Sequence, residues 1–168
     1  MRGMSATRFV GRLALALVVL GAAQLASAAD AGAAAPRDVL GSWATSAPAF
    51  AGTHPAGVNL QITGVATAQF SGDFAGATLF KGKFIVDPQG NIRGHATEEF
   101  TGTVSGVGSG TVLFEEEATV SAAGVVHVDA TITHGSGALA HLSGRLVFDG
   151  TSAADLSSAG TYTGQIQP

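Results

Sequence analysis

The 168-residue chain contains no cysteine, which excludes disulfide bonds, thiol catalysis and cysteine-ligated metal sites. Of its 8 basic residues, three lie close to the start of the chain, at Arg2, Arg8 and Arg12. The rest of the chain carries five basic residues against 12 acidic ones, a net charge of −7. Such a surface repels nucleic acid, so we expect no nucleic-acid partner.

Residues 1–28 have the three regions of a cleavable signal peptide. The basic start leads into an unbroken apolar run from Leu13 to Leu20, and the small residues Ala26-Ser27-Ala28 follow. The apolar stretch falls short of the roughly 20 predominantly apolar residues that a membrane span needs. We therefore expect cleavage after Ala28, no stable membrane anchor, and a secreted or periplasmic protein. Residues 29–40, rich in alanine and without periodicity, are predicted to form a flexible N-terminal tether.

From residue 41 onwards no segment has the spacing of a helix, and short alternating runs predict strands. Val58 to Phe70, for example, places Leu60 and Ile62 on one face and polar residues on the other. Asp87-Pro-Gln-Gly-Asn91 is a strong hairpin turn. The predicted strands are 58–70, 78–86, 92–103, 111–121, 125–133, 145–149 and 160–167. This order predicts an all-β domain over 41–168, a single antiparallel up-and-down β-barrel of seven or eight strands, with a β-sandwich as the alternative.

Several glycine-based motifs carry a resemblance to a known family. They are Phe70-Ser-Gly-Asp-Phe-Ala-Gly76, Asp87-Pro-Gln-Gly90, Glu98 before Thr101-Gly102, and Gly135-Ser-Gly137 with Leu139-Ala-His-Leu-Ser-Gly144. In their order and spacing, from about residue 58 to 166, they resemble a bacterial family of unknown function with an allene-oxide-cyclase-like barrel. The resemblance implies a lipocalin-like antiparallel barrel and supplies no catalytic residues.

Strand parity singles out two glutamates, which are the candidate catalytic residues. Glu98 shares a face with Ile92 and Phe100, and Glu116 shares a face with Val112 and Phe114. If the aliphatic faces point inwards, both carboxyl groups lie inside the barrel. The small inward residues Gly82, Gly94, Ala96 and Ala130 would leave room for one small ligand. Burial would then raise the pKa values of the two acids, which suits general acid–base chemistry or recognition of a polar group.

The same glutamates have a purely structural interpretation. Glu115-Glu116-Glu117 is also typical of a charged run on a solvated edge strand. A bulge near Glu98 and Glu99 would exchange the inner and outer faces of that strand. His127 and Asp129 have a spacing that can ligate metal, but their face is predicted to point outwards and no third ligand is evident, so we expect no metal and no cofactor.

Three functions are compatible with the sequence. The first is a secreted barrel that binds a small apolar or amphipathic molecule in its interior. Its predicted ligand-binding residues are Phe80, Phe84, Glu98, Phe100, Phe114, Glu116 and His134, the histidine lying at the barrel mouth. The second is a cyclase or isomerase that uses an interior glutamate as acid or base. The third is a structural or surface-interaction protein whose barrel is filled by its own side chains.

Overall fold

The computed structural model describes residues 35–168, so the predicted signal peptide and residues 29–34 of the predicted tether lie outside the described residues. These residues form nine strands: β1 (Arg37–Thr45), β2 (Ala49–Ala56), β3 (Asn59–Gly72), β4 (Phe74–Val86), β5 (Ile92–Val104), β6 (Gly108–Val120), β7 (Val125–Gly137), β8 (Ser143–Ser152) and β9 (Ser158–Gln167). Residues 35–168 include no helix of the length and hydropathy needed to cross a membrane.

The strands form a closed antiparallel barrel of eight strands with one extra strand. Each of β3 to β9 pairs with its neighbour in sequence, and β1 pairs with both β9 and β3, which closes the ring. The all-β barrel predicted from alternation and turn spacing is confirmed, and the alternative of a β-sandwich is wrong. Closure leaves the eight strands of the ring without the unpaired edges that an open sheet would expose.

The extra strand β2 continues the line of β1 beside β3. Thr45 of β1 is opposite Ala68, and Ala49 of β2 is opposite Val65, after the short break at residues 46–48. From there β2 pairs only with the first half of β3, and a bulge at Ala51 interrupts its register. The sequence interpretation missed both β1 and β2. For β2 the reason is that it contains glycine and proline, which are depleted in strands.

The barrel begins earlier than the predicted domain boundary. Residues 37–40 belong to β1, where they pair with residues 163–166 of β9. Val39 is buried in the core. The prediction that the tether extends to residue 40 is therefore wrong by four residues, because these residues complete the last sheet pairing of the ring.

The two ends of the barrel differ. The end that carries the tight turns at residues 57–58, 87–91, 121–124 and 153–157 is here called the open end. The opposite end, which carries the turns at 72–73 and 105–107 and the connection at 138–142, is called the closed end. Leu139 and Leu142 from that connection are buried and plug it.

Aromatic side chains fill the closed half of the barrel. Their ring centroids lie 5.4–6.1 Å apart in edge-on and tilted contacts, a geometry that adds to the burial of apolar area. The cluster consists of Phe70, Phe74, Phe100, Phe114, Phe148 and Tyr162, and Trp43 packs against Phe148 on the side of the open end. Because this half is packed, any interior space for a ligand lies towards the open end.

Candidate ligand-binding cavity and buried carboxyl pair

An apolar cavity of about 140 Å³ lies inside the barrel at the open end. It is lined by side chains from β1 to β4, from β6 and β7, and from the turn at 153–157, chiefly Trp43, Phe50, Ile62, Ala66, Phe80, Phe84, Ala118, Val126, Val128 and Leu156. Apolar cavities of this size admit small apolar molecules. The short residues Ala66 and Ala118 leave the space that larger side chains would fill.

Phe80 and Phe84 form one wall of this cavity. Their rings stack with centroids 5.8 Å apart over Gly82, where a Cβ would lie only 2.2 Å from a ring carbon of Phe84. A Cβ on Gly94 would also meet Phe84, 2.8 Å from its ring. The sequence predicted space for a ligand beside Gly82 and Gly94. In the structure the ring of Phe84 occupies that space.

Two side chains at the mouth are placed in unusual ways. Phe50 of β2 keeps 51% of its surface exposed although it lines the cavity. Leu156 has a φ of 66°, a value that glycine adopts readily and that is rare for a bulky side chain. Such strain persists where the surrounding structure requires it, and here the Ala153–Ser157 turn holds the Leu156 side chain against the cavity.

Glu98 and Glu116 lie inside the barrel, as parity predicts. Their exposed fractions are 5% and 6%. Their neighbours Glu99, Glu115 and Glu117 are all exposed. The alternative interpretations are wrong, because β6 is a central strand between β5 and β7 and the β4–β5–β6 register is continuous through Glu98.

The two carboxyl groups occupy an apolar layer. Glu98 is opposite Phe80 on one side and Phe114 on the other, whereas Glu116 is opposite Ala96 and Ala130. The polar contacts of the pair are the hydroxyl of Thr78, which donates a hydrogen bond to Glu98, and a hydrogen bond between the two glutamates. A carboxyl group can donate such a bond only when it is protonated.

Burial raises the pKa of both glutamates. For Glu98 the increase is opposed by the hydrogen bonds from Glu116 and Thr78, which favour its ionised form. For Glu116 the negative charge of Glu98 adds to burial, and the pKa lies well above its ordinary value. Burial and the closeness of the two acids therefore both oppose ionisation, so the pair is harder to ionise than two exposed glutamates.

The structure distributes the predicted ligand-binding residues over three places. Phe80 and Phe84 line the cavity, and Glu98 and Glu116 lie in the layer beneath it. Phe100 and Phe114 are fully buried in the aromatic cluster of the closed half. These two side chains face other rings rather than open space, so they do not line the cavity at the open end.

His134 lies away from the cavity. The register jumps from Leu113↔His134 to Phe114↔Ile132, so Thr133 is an extra residue in β7. This bulge turns His134, which simple alternation would place on the inner face, to the exposed outer face. It also lies near the closed end, so its predicted position at the mouth is wrong.

The sequence interpretation missed several cavity residues. Trp43, Phe50 and Leu156 lie in segments that were not predicted to be strands. For Trp43 a signal did exist, because Val39, Gly41 and Trp43 recur at the period of a strand. No local pattern places Phe50 or Leu156 at a barrel mouth.

A larger and shallower groove of about 920 Å³ crosses the outer faces of β3 to β8. Its side chains include Lys81, Lys83, His95, Glu115 and Glu117, all exposed. Charged outer faces of this kind are normal for solvated sheets.

Farther along the same outer surface, His127 binds Asp149 at 2.7 Å, and this bond raises the pKa of the imidazole.

The sequence matches no family model and no curated protein. Among solved structures, the barrel is similar to that of a protein of unknown function from the DUF3224 family of Shewanella oneidensis MR-1, with a TM-score of 0.61. The two sequences are 15% identical, and the match covers 79% of this chain and 97% of the other. The likeness shows the fold. The closer relationship to allene-oxide-cyclase-like barrels stays a prediction.

Proposed function

We propose that this protein binds a small apolar or amphipathic molecule, of about the size of one aromatic ring, in the cavity at the open end of the barrel. The observation that carries the proposal is a cavity of about 140 Å³ lined by Trp43, Phe80 and Phe84 and open to solvent beside Phe50. A protein cavity of about 150 Å³ lined by aliphatic and aromatic side chains accepts benzene. The packed closed half leaves no comparable apolar space, so the ligand is small.

Ethylbenzene is a suitable probe because it matches the cavity in size and polarity. For a ligand of this size we expect a dissociation constant on the order of 0.1–1 mM. Trp43 is the only tryptophan and lines the cavity, so its indole N–H signal reports binding by NMR. The proposal fails if ethylbenzene leaves the Trp43 signal unchanged up to its solubility limit.

A cavity-filling variant tests where the probe binds. Ala118→Leu places a larger side chain in the cavity and should abolish the ethylbenzene-dependent shift of Trp43. Ala77→Leu is the matched control, because Ala77 is exposed on the outer face of β4. Loss of binding in both variants, or in neither, would place the probe elsewhere.

The second candidate function is a cofactor-independent isomerase or cyclase, and the observation that favours it is the buried Glu98–Glu116 pair. Acids whose pKa values are separated by their surroundings can act as base and acid in one reaction. In an alkene shift, Glu98 would take a proton from the carbon beside a carbonyl, and Glu116 would supply one to the far alkene carbon. Conversion of 3-cyclohexenone to 2-cyclohexenone above the buffer rate, and its loss in Glu116→Gln, is the expected result.

The signal-like start of the chain supports export, so we propose that binding takes place in the periplasm or outside the cell. Cleavage after Ala28 predicts that the exported protein begins at Ala29. An intact-mass measurement of protein recovered from the periplasm or medium checks this, and retention of Met1 in membrane-free protein would contradict it.

A further inference from the structure

Within the part of the chain that the structure describes, the carboxyl pair has no permanent positive partner inside the barrel. Among residues 35–168, the buried polar side chains are Thr78, Glu98 and Glu116. Every lysine, arginine and histidine of this part of the chain is exposed except Arg37, which is half-buried. Arg37 lies at the closed end, where it is opposite Ile166 and its guanidinium donates to the carbonyl of Ser105.

An acidic pair in such surroundings is costly to maintain. Removing a carboxylate from water is unfavourable unless a counter-charge or several hydrogen bonds replace the lost hydration. Thr78 and the bond between the glutamates supply only part of that replacement. The carboxyl oxygens of the pair can therefore accept further hydrogen bonds from a cationic group.

The pair is also directly behind the cavity. Phe80 lines the cavity and is the cross-strand neighbour of Glu98. Ala118 lines the cavity and lies two residues after Glu116 on the same face of β6. Phe80 and Ala118 are therefore the cavity residues that adjoin the carboxyl pair. A charged group that extended from the cavity past Phe80 would reach the two glutamates, while the apolar part of the ligand stayed in the cavity.

We propose that the natural ligand of the cavity is a small aryl-alkyl primary amine, bound as its ammonium ion with the charged group between Glu98 and Glu116 and the ring among Trp43, Phe80 and Phe84. This proposal rests on the proposed binding function and names its ligand class. An ammonium group has three hydrogen-bond donors, enough to reach both carboxyl groups. The faces of the lining aromatic rings attract a cation as it enters.

Three ligands with one ring each and different charges test the proposal. They are 2-phenylethylamine as the cation, ethylbenzene as the neutral analogue and 3-phenylpropionate as the anion. With the exported protein at neutral pH, we expect calorimetry or Trp43 NMR to show 2-phenylethylamine binding at least 10-fold more tightly than ethylbenzene. We expect 3-phenylpropionate to bind more weakly than either, because its carboxylate would lie beside the acidic side chains of Glu98 and Glu116.

Variants locate the charge that selects the amine. The double variant Glu98→Gln/Glu116→Gln should lower the affinity for 2-phenylethylamine to that for ethylbenzene, and its unchanged binding of ethylbenzene shows that the barrel is intact. Glu115→Gln/Glu117→Gln is the matched control on the outer face of β6 and should bind the amine like the unaltered protein. Ala118→Leu should abolish binding of both ligands.

The outcomes separate this inference from the proposed function. If ethylbenzene binds and the amine binds no more tightly, the cavity binds apolar ligands and the amine proposal is overturned. If amine binding is lost in the outer-face control and kept in the interior double variant, the amine binds the acidic surface and the proposal is overturned. If none of the three ligands binds, both the function and the ligand class are overturned.

Discussion

Glu116 is the residue at which the folded state departs furthest from ordinary side-chain chemistry. It is buried, its cross-strand neighbours are alanines, and its polar partner is another acid. While the pair keeps at least one proton, one carboxyl group can donate a hydrogen bond to the other, whereas two ionised groups would repel each other. The protonation of the pair therefore governs the stability of the carboxyl layer.

The free energy of unfolding should fall as the pair ionises. Burial raises the folded pKa of both glutamates above the unfolded value of about 4.5. The stability that the protonated pair contributes is therefore fully present below that value and is lost as pH rises through the folded pKa. Glu116→Gln keeps a hydrogen-bond donor and removes the ionisation, so at pH 8 it should be more stable than the unaltered protein by about 1 kcal/mol or more.

Urea unfolding between pH 5 and 8 measures this difference. Glu115→Gln is the control, because its exposed side chain should change stability by less than about 0.5 kcal/mol at any pH. Measurements below pH 5 are left out because Asp87 and Asp155 accept hydrogen bonds in their own turns and have lowered pKa values. Protonation of these two groups lowers the free energy of unfolding as the pH falls, which is opposite to the effect of the glutamate pair. Parallel pH curves for Glu116→Gln and the unaltered protein would show that the pair does not titrate as proposed.

At the scale of the strands, Tyr162 joins the elements that close the barrel. Its hydroxyl accepts a hydrogen bond from the backbone N–H of Phe74 at 2.8 Å, and the carbonyl of Ser71 lies 3.2 Å from it. The hydroxyl also lies against β1 at Gly41, where a Cβ would be 2.3 Å from it. One side chain of β9 thus contacts β1 and the turn from β3 to β4, and glycine at position 41 permits the approach.

Replacing this hydroxyl should weaken closure. Tyr162→Phe leaves the buried N–H of Phe74 without a partner, which should lower the free energy of unfolding by about 1–3 kcal/mol. Thr163→Val, on the exposed face of the same strand, is the control and should change it by less than about 0.5 kcal/mol. Equal denaturant midpoints for the two variants would mean that the Tyr162 hydroxyl does not support the junction.

At the scale of the whole molecule, the first strand pairs with the last. Residues 37–40 of β1 pair with residues 163–166 of β9, more than one hundred residues later in the chain. Val39 buries its side chain at this junction, which stabilises the fold by about 1.5–3 kcal/mol. The domain therefore needs residues that the sequence interpretation assigned to the tether.

Truncation tests this boundary. A protein that begins at Ala35 should unfold at the same temperature as the exported protein, because both contain all of β1. A protein that begins at Gly41 lacks Val39 and the last pairing with β9, so its Tm should be lower by at least about 6 °C. Identical melting temperatures for the two truncated proteins would restore the predicted boundary at residue 41.

The sequence by itself determined the strand content, the antiparallel barrel and the parity of Glu98 and Glu116. Strand alternation and turn residues are local properties, and β4, β5 and β6 keep one register along these positions. The same local rules did not locate Thr133, whose bulge turns His134 outwards, since a bulge depends on the partner strand. They also did not reveal β2, whose composition is unfavourable for a strand.

Only the tertiary structure decided where the interior is filled and where it is open. Inward parity is the same for Phe84 and Phe100, yet Phe84 lines the cavity and Phe100 is packed among other rings. The difference arises from the stagger of the strands around the barrel, which brings residues far apart in sequence to one level. Parity tells which side of a strand faces inwards, and the packing of all eight strands decides what each side chain meets there.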